Sequence, residues 1–212
     1  MILAVFASDL QKEEIAASPF FQKHEVVYSE NDSLWTNHKA DAFLDFLFEP
    51  TAERIGNLAR LLPKLVMVNS VIHTLDKIHP SFIRFNAWPG FLKGNELEAA
   101  AAEEMKLVSK TFFGEDLIFV RDSPGFVSPR IVSTIINEAF FALEDGVSTI
   151  NEIDLAMKLG TNYPYGPFEW QDKIGLPNIY SLLTSLSVND KRYAVSPLLE
   201  EKYFEYISSQ KN

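Results

Sequence analysis

Short apolar runs alternate with amphipathic stretches through the first half of the chain. The apolar runs, each of strand length, are residues 2–6, 26–28, 42–48, 65–68 and 117–120. The amphipathic stretches, in which apolar residues recur at helical spacing, are residues 9–17, 51–62 and 96–112. Strands that alternate with helices are typical of a parallel sheet with helices on its faces. This pattern predicts an α/β domain.

Helical spacing alone continues after residue 122. Ser128 can cap a helix whose first position is Pro129, because a backbone N–H at that position has no helical partner to lose. Gly146 is suited to end this helix. Thr149 and Glu152 then form a capping box that predicts the start of another helix. The second half of the chain is therefore predicted to be all helical.

The two predicted domains are an α/β domain over residues 1–121 and an all-helical domain over residues 122–212. Hydrophobic residues make up 47% of the 212-residue chain, which is enough apolar mass to bury a core. The formal charge of −10 and the scattered positions of the 19 Lys and Arg residues argue against nucleic acid as a partner. The absence of cysteine excludes disulfides and thiol chemistry, and we expect a cytoplasmic protein. Asp9 interrupts the apolar start, which predicts a buried strand rather than a signal peptide or a membrane span.

Ordered motifs in the helical half match those of a known enzyme family. They are Pro124-Gly125-Phe126, Asn137-Glu138-Ala139, Ile153-Asp154, the run 156–160 and Gly166-Pro167-Phe168-Glu169. In this order and spacing they resemble the C-terminal domain of 3-hydroxyacyl-CoA dehydrogenases. The resemblance implies a reduced Rossmann-like domain followed by a helical, dimer-forming domain, in an oxidoreductase of fatty-acid and acyl-CoA metabolism that uses NAD. Most of the matching residues are of packing and capping types, so they indicate descent more strongly than activity.

The resemblance implies a dinucleotide-binding loop after the first strand, but the glycines that such a loop requires are missing. Only glycine lets the backbone approach a pyrophosphate at a helix N-terminus, yet the first glycine of the chain is Gly56. Ser8 and Asp9 occupy the turn instead, and Asp9 would put a carboxylate where phosphate should lie. Both residue types are common helix N-caps, so we expect one of them to cap the next helix. We therefore expect no tight binding of NAD.

Three positions that carry chemistry in the family are altered in this chain. Asn69 and Ser70 match the start of the family's substrate-binding turn, but Val71 stands where a hydroxyl would follow. Pro129 replaces an asparagine that hydrogen-bonds at the family's active site. Asn86 occupies the position of the catalytic histidine. Because an amide cannot act as a base near neutral pH, Asn86 removes the proton acceptor that oxidation of a 3-hydroxyl group requires.

Glu98 lies at the spacing from Asn86 that the family uses for the glutamate partner of its catalytic histidine. In that role it would orient and stabilise the histidine. The same residue falls in the predicted helix 96–112, where a solvated carboxylate near the helix start is the simpler interpretation. With Asn86 in place of the histidine, the catalytic role has nothing to act on.

The four histidines and one aromatic segment are further candidates for site residues. His24, His38, His73 and His79 show no metal-ligand spacing with nearby carboxylates, so we expect no metal site. His73 or His79 could replace the lost base only if the fold brought it within about 3 Å of the reacting proton. The aromatic residues of the segment 163–170 could line a ligand cleft or pack in a core, and packing is the simpler interpretation.

Two hypotheses for the function remain open. The first is a 3-hydroxyacyl-CoA dehydrogenase that uses NAD to oxidise a CoA thioester. The second is a pseudoenzyme that binds an acyl-CoA or another small ligand, or serves as a dimeric interaction protein. The altered residues favour the second hypothesis. Residues 129–145 and 163–183 offer more apolar surface than a small α/β domain could cover. We therefore expect a homodimer formed through the helical domain, without nucleic acid or membrane as a partner.

Overall fold

A computed structural model describes residues 1–30 and 39–210. The chain packs as two compact units, Met1–Val127 and Ser128–Asn212. The first unit combines a sheet with helices, and the second consists of helices. This is the fold class that the alternation of apolar runs and amphipathic stretches predicted.

The first unit is built around one seven-stranded sheet. Its strands are β1 (Ile2–Phe6), β2 (Glu25–Tyr28), β3 (Ala42–Asp45), β4 (Leu65–Asn69), β5 (Ile83–Phe85), β6 (Leu97–Ala100) and β7 (Leu117–Phe119). Its helices are α1 (Asp9–Ala17), α2 (Pro19–Gln22), α3 (Ala52–Ala59) and α4 (Glu103–Phe113), with a 3-10 turn at Leu75–Lys77. The strands lie in the order β2-β1-β3-β4-β5-β6-β7. Strands β1 to β5 run parallel, β6 is antiparallel to β5, and β7 is parallel to β6. The parallel part is the predicted Rossmann-like sheet.

Both faces of the parallel sheet are buried, which explains why its strands are continuous apolar runs. Along β4, Leu65 and Met67 belong to the core on one face, while Val66 and Val68 belong to the core on the other. Successive side chains of a strand point to opposite faces, so a strand covered on both sides needs apolar residues at every position.

The stretch 96–112 does not form one helix, and this part of the prediction is wrong. Leu97–Ala100 is strand β6, and α4 begins only at Glu103. The segment is extended because it pairs with β5 on one side and with β7 on the other, and this pairing outweighs the helical preference of its alanines. Glu98 therefore lies in a strand and not at the start of a helix.

The second unit contains the predicted helices in order. They are α5 (Ser128–Glu144), α6 (Ile150–Thr161), α7 (Pro167–Ile174), α8 (Leu176–Ser187) and α9 (Pro197–Ser209), with a 3-10 turn at Lys191–Tyr193. Pro129 lies in the first turn of α5, and Gly146 follows this helix with a φ of +68°, a value that favours glycine. The ring of Phe140 on α5 meets that of Phe168 on α7 edge to face, with centroids 5.2 Å apart.

The division between the units falls after Val127, later than the boundary predicted at residues 121 and 122. The turn before α5 is held by the first unit, because the Gly125 N–H donates to the Val71 carbonyl oxygen at 2.7 Å. Asp122 also accepts a hydrogen bond from the Leu75 N–H at 3.0 Å. These tertiary contacts, which leave no periodic signal in the sequence, attach the turn to the sheet. None of the helices in the two described ranges is long and apolar enough to cross a membrane.

Candidate functional site

The strand order places a crevice between β1 and β3. The chain leaves β1 toward β2 on one side and later returns to β3 on the other, and ligands of open α/β sheets bind outside the carboxyl ends of strands at such a reversal. A cavity of about 300 Å³ lies there. It is lined by Phe6, Leu47, Glu49, Thr51, Glu53, Arg54 and Asn57. Its volume is at the lower end of the range for small-molecule pockets.

The charge of this cavity does not suit a pyrophosphate. The Arg54 Nε donates to the carboxylate of the fully buried Asp45 at 2.7 Å, and the guanidinium lies 5.0 Å from the centre of the Phe6 ring. The positive charge of Arg54 is thus matched by Asp45. Glu49 and Glu53 add two further carboxylates to the lining, so the local balance is negative and would repel a phosphate.

The turn between β1 and α1, where the fold would place a phosphate, is closed by a capping box. The Gln11 N–H donates to Ser8 Oγ at 3.3 Å, and the Ser8 N–H donates to Gln11 Oε1 at 3.1 Å. The predicted N-cap is confirmed and is Ser8. The turn carries side chains where a dinucleotide loop has glycines, and two of its backbone N–H groups, those of Ser8 and Gln11, already have partners, so its residues fit a dinucleotide pyrophosphate poorly.

Asn69 and Ser70 both use their side chains within the first unit. Asn69 Nδ2 donates to the Phe46 carbonyl oxygen at 2.9 Å, and Asn69 Oδ1 accepts from the Ala87 N–H at 3.1 Å. Ser70 Oγ donates to the His73 carbonyl oxygen at 2.9 Å. Asn69 therefore ties together the segments that follow β3 and β5, which is a structural task for a residue considered as a substrate contact.

The structure brings Asn86 and Glu98 together. The Asn86 N–H donates to the Glu98 carbonyl oxygen at 2.9 Å, where the chain leaves β5 opposite β6. Asn86 is buried, and its Oδ1 accepts a hydrogen bond from the Trp88 N–H at 3.2 Å. This contact joins main-chain atoms of the two residues, and the Asn86 side chain is an amide that cannot act as a base.

Arg84 is the residue that the sequence analysis missed. Its side chain is fully buried, forms an ion pair with Asp122, and lies 4.7 Å from the centre of the Phe126 ring. Arg84 Nε also donates to the Ser70 carbonyl oxygen at 2.9 Å, and Nη2 to that of Val71 at 3.2 Å. Burial lowers the pKa of Arg84, while the hydrogen bond and charge of Asp122 act in the opposite direction. A single arginine between apolar residues in the segment 82–85 was the available signal.

Two polar residues of the motifs in the helical unit, Asp154 and Asn137, hydrogen-bond to backbone groups of neighbouring segments. Asp154 caps α7 by accepting hydrogen bonds from the Phe168 N–H at 2.8 Å and the Glu169 N–H at 3.2 Å. Asn137 joins α5 to the start of α9, since its Nδ2 donates to the Ala194 carbonyl oxygen and its Oδ1 accepts from the Ser196 N–H, both at 2.9 Å. These roles explain the family motifs without any chemistry. Pro129 is buried, and its side chain has no hydrogen-bonding atom to replace the family's asparagine.

We expect Gly166→Ala to destabilise the helical unit by about 1–3 kcal/mol, because an added methyl group would collide with the Asp154 side chain that caps α7. Gly56→Ala is the matched control, since its methyl group would meet nothing within 4 Å inside α3. The control is expected to stabilise the chain by about 0.4–1 kcal/mol. Urea unfolding of both variants measures the difference, and equal stability of the two would contradict the capping role of Asp154.

Three of the four histidines lie in the described ranges, and His38 lies outside them. Partial desolvation, followed by the charge of Arg84, lowers the pKa of His73. His79 Nδ1 accepts a hydrogen bond from the Ser81 N–H at 3.2 Å, and its ring stacks on Phe82. The ring of His24 packs edge to face against Phe113 with centroids 5.5 Å apart. Within residues 1–30 and 39–210, no group of three or more His, Asp or Glu residues could hold a metal ion.

The aromatic residues of the segment 163–170 form part of the helical core. Phe168 and Trp170 are each 6% exposed. Tyr165 meets the Trp170 ring edge to face at 5.0 Å, and Lys173 Nζ lies 4.4 Å from the centre of the Tyr165 ring. The packing interpretation is confirmed for Phe168 and Trp170.

Comparison with known proteins relates the helical unit to a family. Residues 125–211 match the family model of the 3-hydroxyacyl-CoA dehydrogenase C-terminal domain. The chain is 41% identical over 91 residues to 3-hydroxyadipyl-CoA dehydrogenase of Escherichia coli (strain K12). It is 39% identical over 106 residues to a probable 3-hydroxybutyryl-CoA dehydrogenase of Bacillus subtilis (strain 168). These matches cover 42% and 49% of this chain but 19% and 36% of the two relatives. Residues 125–211 therefore resemble the C-terminal domain of 3-hydroxyacyl-CoA dehydrogenases, and the matched regions span well under half of the length of the two relatives.

Solved structures resemble a larger part of the chain in fold. The (S)-3-hydroxybutyryl-CoA dehydrogenase of Ralstonia eutropha matches 94% of this chain and 92% of its own, with a TM-score of 0.67 and 19% identity. The 3-hydroxybutyryl-CoA dehydrogenase of Escherichia coli K12 matches 69% of this chain and 32% of its own, with a TM-score of 0.57 and 27% identity. The chain is thus a 3-hydroxyacyl-CoA dehydrogenase-like protein in which a Rossmann-like unit precedes, in the sequence, a helical unit that resembles the family's C-terminal domain.

Proposed function

We propose that this chain has lost the NAD-dependent reaction of its family and acts as a non-catalytic, dimeric protein that binds an acyl-CoA or another small ligand. The observation that carries the proposal is the turn after β1, which has no glycine and in which the N–H groups of Ser8 and Gln11 are used by a capping box. The family of the helical unit suggests NAD as the ancestral cofactor, and the printed names of the relatives point to CoA thioesters as the ligand class. We place the protein in the cytoplasm, in keeping with its lack of cysteine.

The polar residues around Asn86 support the same proposal. Oxidation of a 3-hydroxyl group transfers a hydride from C3 and a proton from the hydroxyl oxygen, and the proton requires a base that Asn86 cannot provide. Asn69 and Ser70 donate to backbone carbonyl oxygens of their own unit. Glu98 lies next to Asn86, where it has no imidazole to orient. Asn69 and Ser70 thus have structural tasks, and Asn86 lacks the basic group that the reaction requires.

Isothermal titration calorimetry with NAD tests the proposal. We expect a dissociation constant weaker than about 1 mM, for which the binding free energy is only about 4 kcal/mol. A catalytically active relative from the same family serves as the positive control. Thermal-shift measurements with acyl-CoA test the ligand, since a ligand at 100 times its dissociation constant stabilises the fold by about 2.7 kcal/mol. A low-micromolar constant for NAD would show that the closed turn does not prevent binding.

Only part of the apolar surface predicted for the homodimer is exposed. Residues 163–183 contribute Phe168, Trp170 and Leu182 to the core, because α7 and α8 pack against α5. Among the exposed apolar residues of the helical unit, Ile131 on α5 is 49% exposed, while Leu155 and Leu159, which lie about one helical turn apart on α6, are 52% and 79% exposed. Apolar side chains this exposed on a short helix favour association, so we propose α6 as the dimer contact.

We expect light scattering of the native protein to give twice the 24.0 kDa chain mass, and Leu159→Glu to shift the protein toward the monomer. A charge at the centre of an apolar contact would have to be desolvated in the dimer, which weakens association. Leu107→Glu is the matched control, because Leu107 is 69% exposed on α4 of the other unit. A native protein that stays monomeric at every concentration would refute the dimer, and equal effects of the two variants would refute α6 as its contact.

A further inference from the structure

One side of α1 carries buried polar residues in place of the usual apolar ones. Gln11, Glu14 and the C-cap residue Ser18 recur at positions i, i+3 and i+7, which places them on the same face of the helix. They are 4%, 6% and 0% exposed. Buried polar side chains require hydrogen-bonding partners, so this face must meet a polar surface.

The partners of this face are backbone groups of the segment 87–94, which follows β5. Gln11 Nε2 donates to the Ala87 carbonyl oxygen at 3.0 Å. Both carboxylate oxygens of Glu14 accept from the Gly90 N–H, at 2.9 and 2.8 Å. Ser18 Oγ donates to the Gly94 carbonyl oxygen at 3.2 Å.

The position of Gly90 adds to this arrangement. Its φ of +96° is a conformation that other residues rarely adopt, and it turns the Gly90 N–H toward the Glu14 carboxylate. Without the Gly90 N–H, the buried Glu14 carboxylate would lose a hydrogen-bond donor, which is strongly unfavourable. The helix and the segment 87–94 therefore depend on each other.

We infer that α1 is a built-in latch that holds the segment 87–94 in one conformation without any bound ligand. The inference rests on the proposed function in one respect. The segment 87–94 directly follows Asn86, which the proposed function places at the family's histidine position. Three side chains from one helix face fix the backbone of the segment at its start, middle and end. A ligand of this unit therefore meets a segment that is already ordered, and binding does not involve closure of this loop.

Hydrogen exchange followed by mass spectrometry tests the latch in the full chain. In the native protein we expect residues 87–94 to be protected, and equally so with and without NAD or acetyl-CoA. Glu14→Ala is expected to speed exchange in this segment by about tenfold, with exchange in β3 and β4 unchanged. Glu14→Gln keeps a side-chain oxygen that can accept from the Gly90 N–H, so its exchange should stay close to native. Glu13→Ala is the matched control, because Glu13 is the exposed neighbour on the same helix.

The latch is refuted if Glu14→Ala leaves exchange in residues 87–94 unchanged, or if NAD or acetyl-CoA raises the protection of this segment in the native protein. Should Glu14→Ala fail to fold, Ser18→Ala tests the other end of the latch, with faster exchange expected only around Gly94 and no change counting against it. Calorimetry separates this inference from the proposed function. Tight NAD binding with unchanged protection of residues 87–94 would overturn the proposed function and leave the latch in place.

Discussion

Native protein supplied with NAD and a 3-hydroxyacyl-CoA is expected to form no NADH above the blank, and Asn86→His is expected to be equally silent. General acid–base catalysis contributes about 10²- to 10⁴-fold in rate only when substrate and cofactor are already placed. A histidine at position 86 would supply a base, but the turn after β1 would still have no glycine, and its Ser8 and Gln11 N–H groups would still be used by the capping box. Val71 would still offer no hydroxyl to the substrate. NADH absorbance over time measures both proteins.

The controls for this assay address folding and the identity of any base. Asn86 is buried and its Oδ1 accepts from the Trp88 N–H, so Asn86→His must first be shown to keep a cooperative thermal transition. Substantial turnover by the native chain would contradict the loss of activity and point to His73 or His79 as the base, which His73→Ala and His79→Ala would distinguish. Activity in Asn86→His alone would instead mean that NAD binds in spite of the capped turn.

Asp122→Ala is expected to lower the free energy of unfolding by about 3–5 kcal/mol, the largest effect we predict on stability. Arg84 is fully buried and Asp122 is its carboxylate partner. Removing the carboxylate leaves a buried positive charge whose remaining contacts among the described residues include the carbonyl oxygens of Ser70 and Val71 and the ring of Phe126, with no carboxylate bonded to it. The Leu75 N–H also loses its acceptor. Urea unfolding followed by circular dichroism provides the measurement.

Two variants show whether the loss comes from the buried charge. Arg84→Met removes the charge but keeps a side chain of similar length. The double variant with Arg84→Met and Asp122→Ala should therefore lose less free energy of unfolding than the sum of the losses of the two single variants. Asp9→Ala breaks the ion pair between Asp9 and Lys12. Because the Asp9 side chain is 95% exposed, this change should alter stability by no more than about 1 kcal/mol. If Asp122→Ala and Asp9→Ala were equally mild, the ion pair of Arg84 would not hold the turn before α5.

The altered site residues were predictable from the sequence because their chemistry is fixed by residue type. An amide at position 86 has no basic nitrogen in any fold, and a turn without glycine carries side chains wherever it lies. The role of Ser8 as an N-cap was also predictable, since capping depends on residues within one helical turn. By contrast, no sequence pattern showed that Asn69 bonds to Phe46 and Ala87, because its partners lie 23 and 18 residues away.

The sequence by itself determined the fold class, the order of the helices in the second unit and the presence of an amide at position 86, since each follows from local periodicity, capping or residue type. Tertiary structure alone decided that Leu97–Ala100 is a strand, because pairing with β5 and β7 outweighed the helical preference of its alanines. It also decided that Arg84 is buried with Asp122, 38 residues away, and that the polar face of α1 meets the segment 87–94. These contacts join residues far apart in the chain, and their energies come from burial and hydrogen bonding that no local pattern encodes.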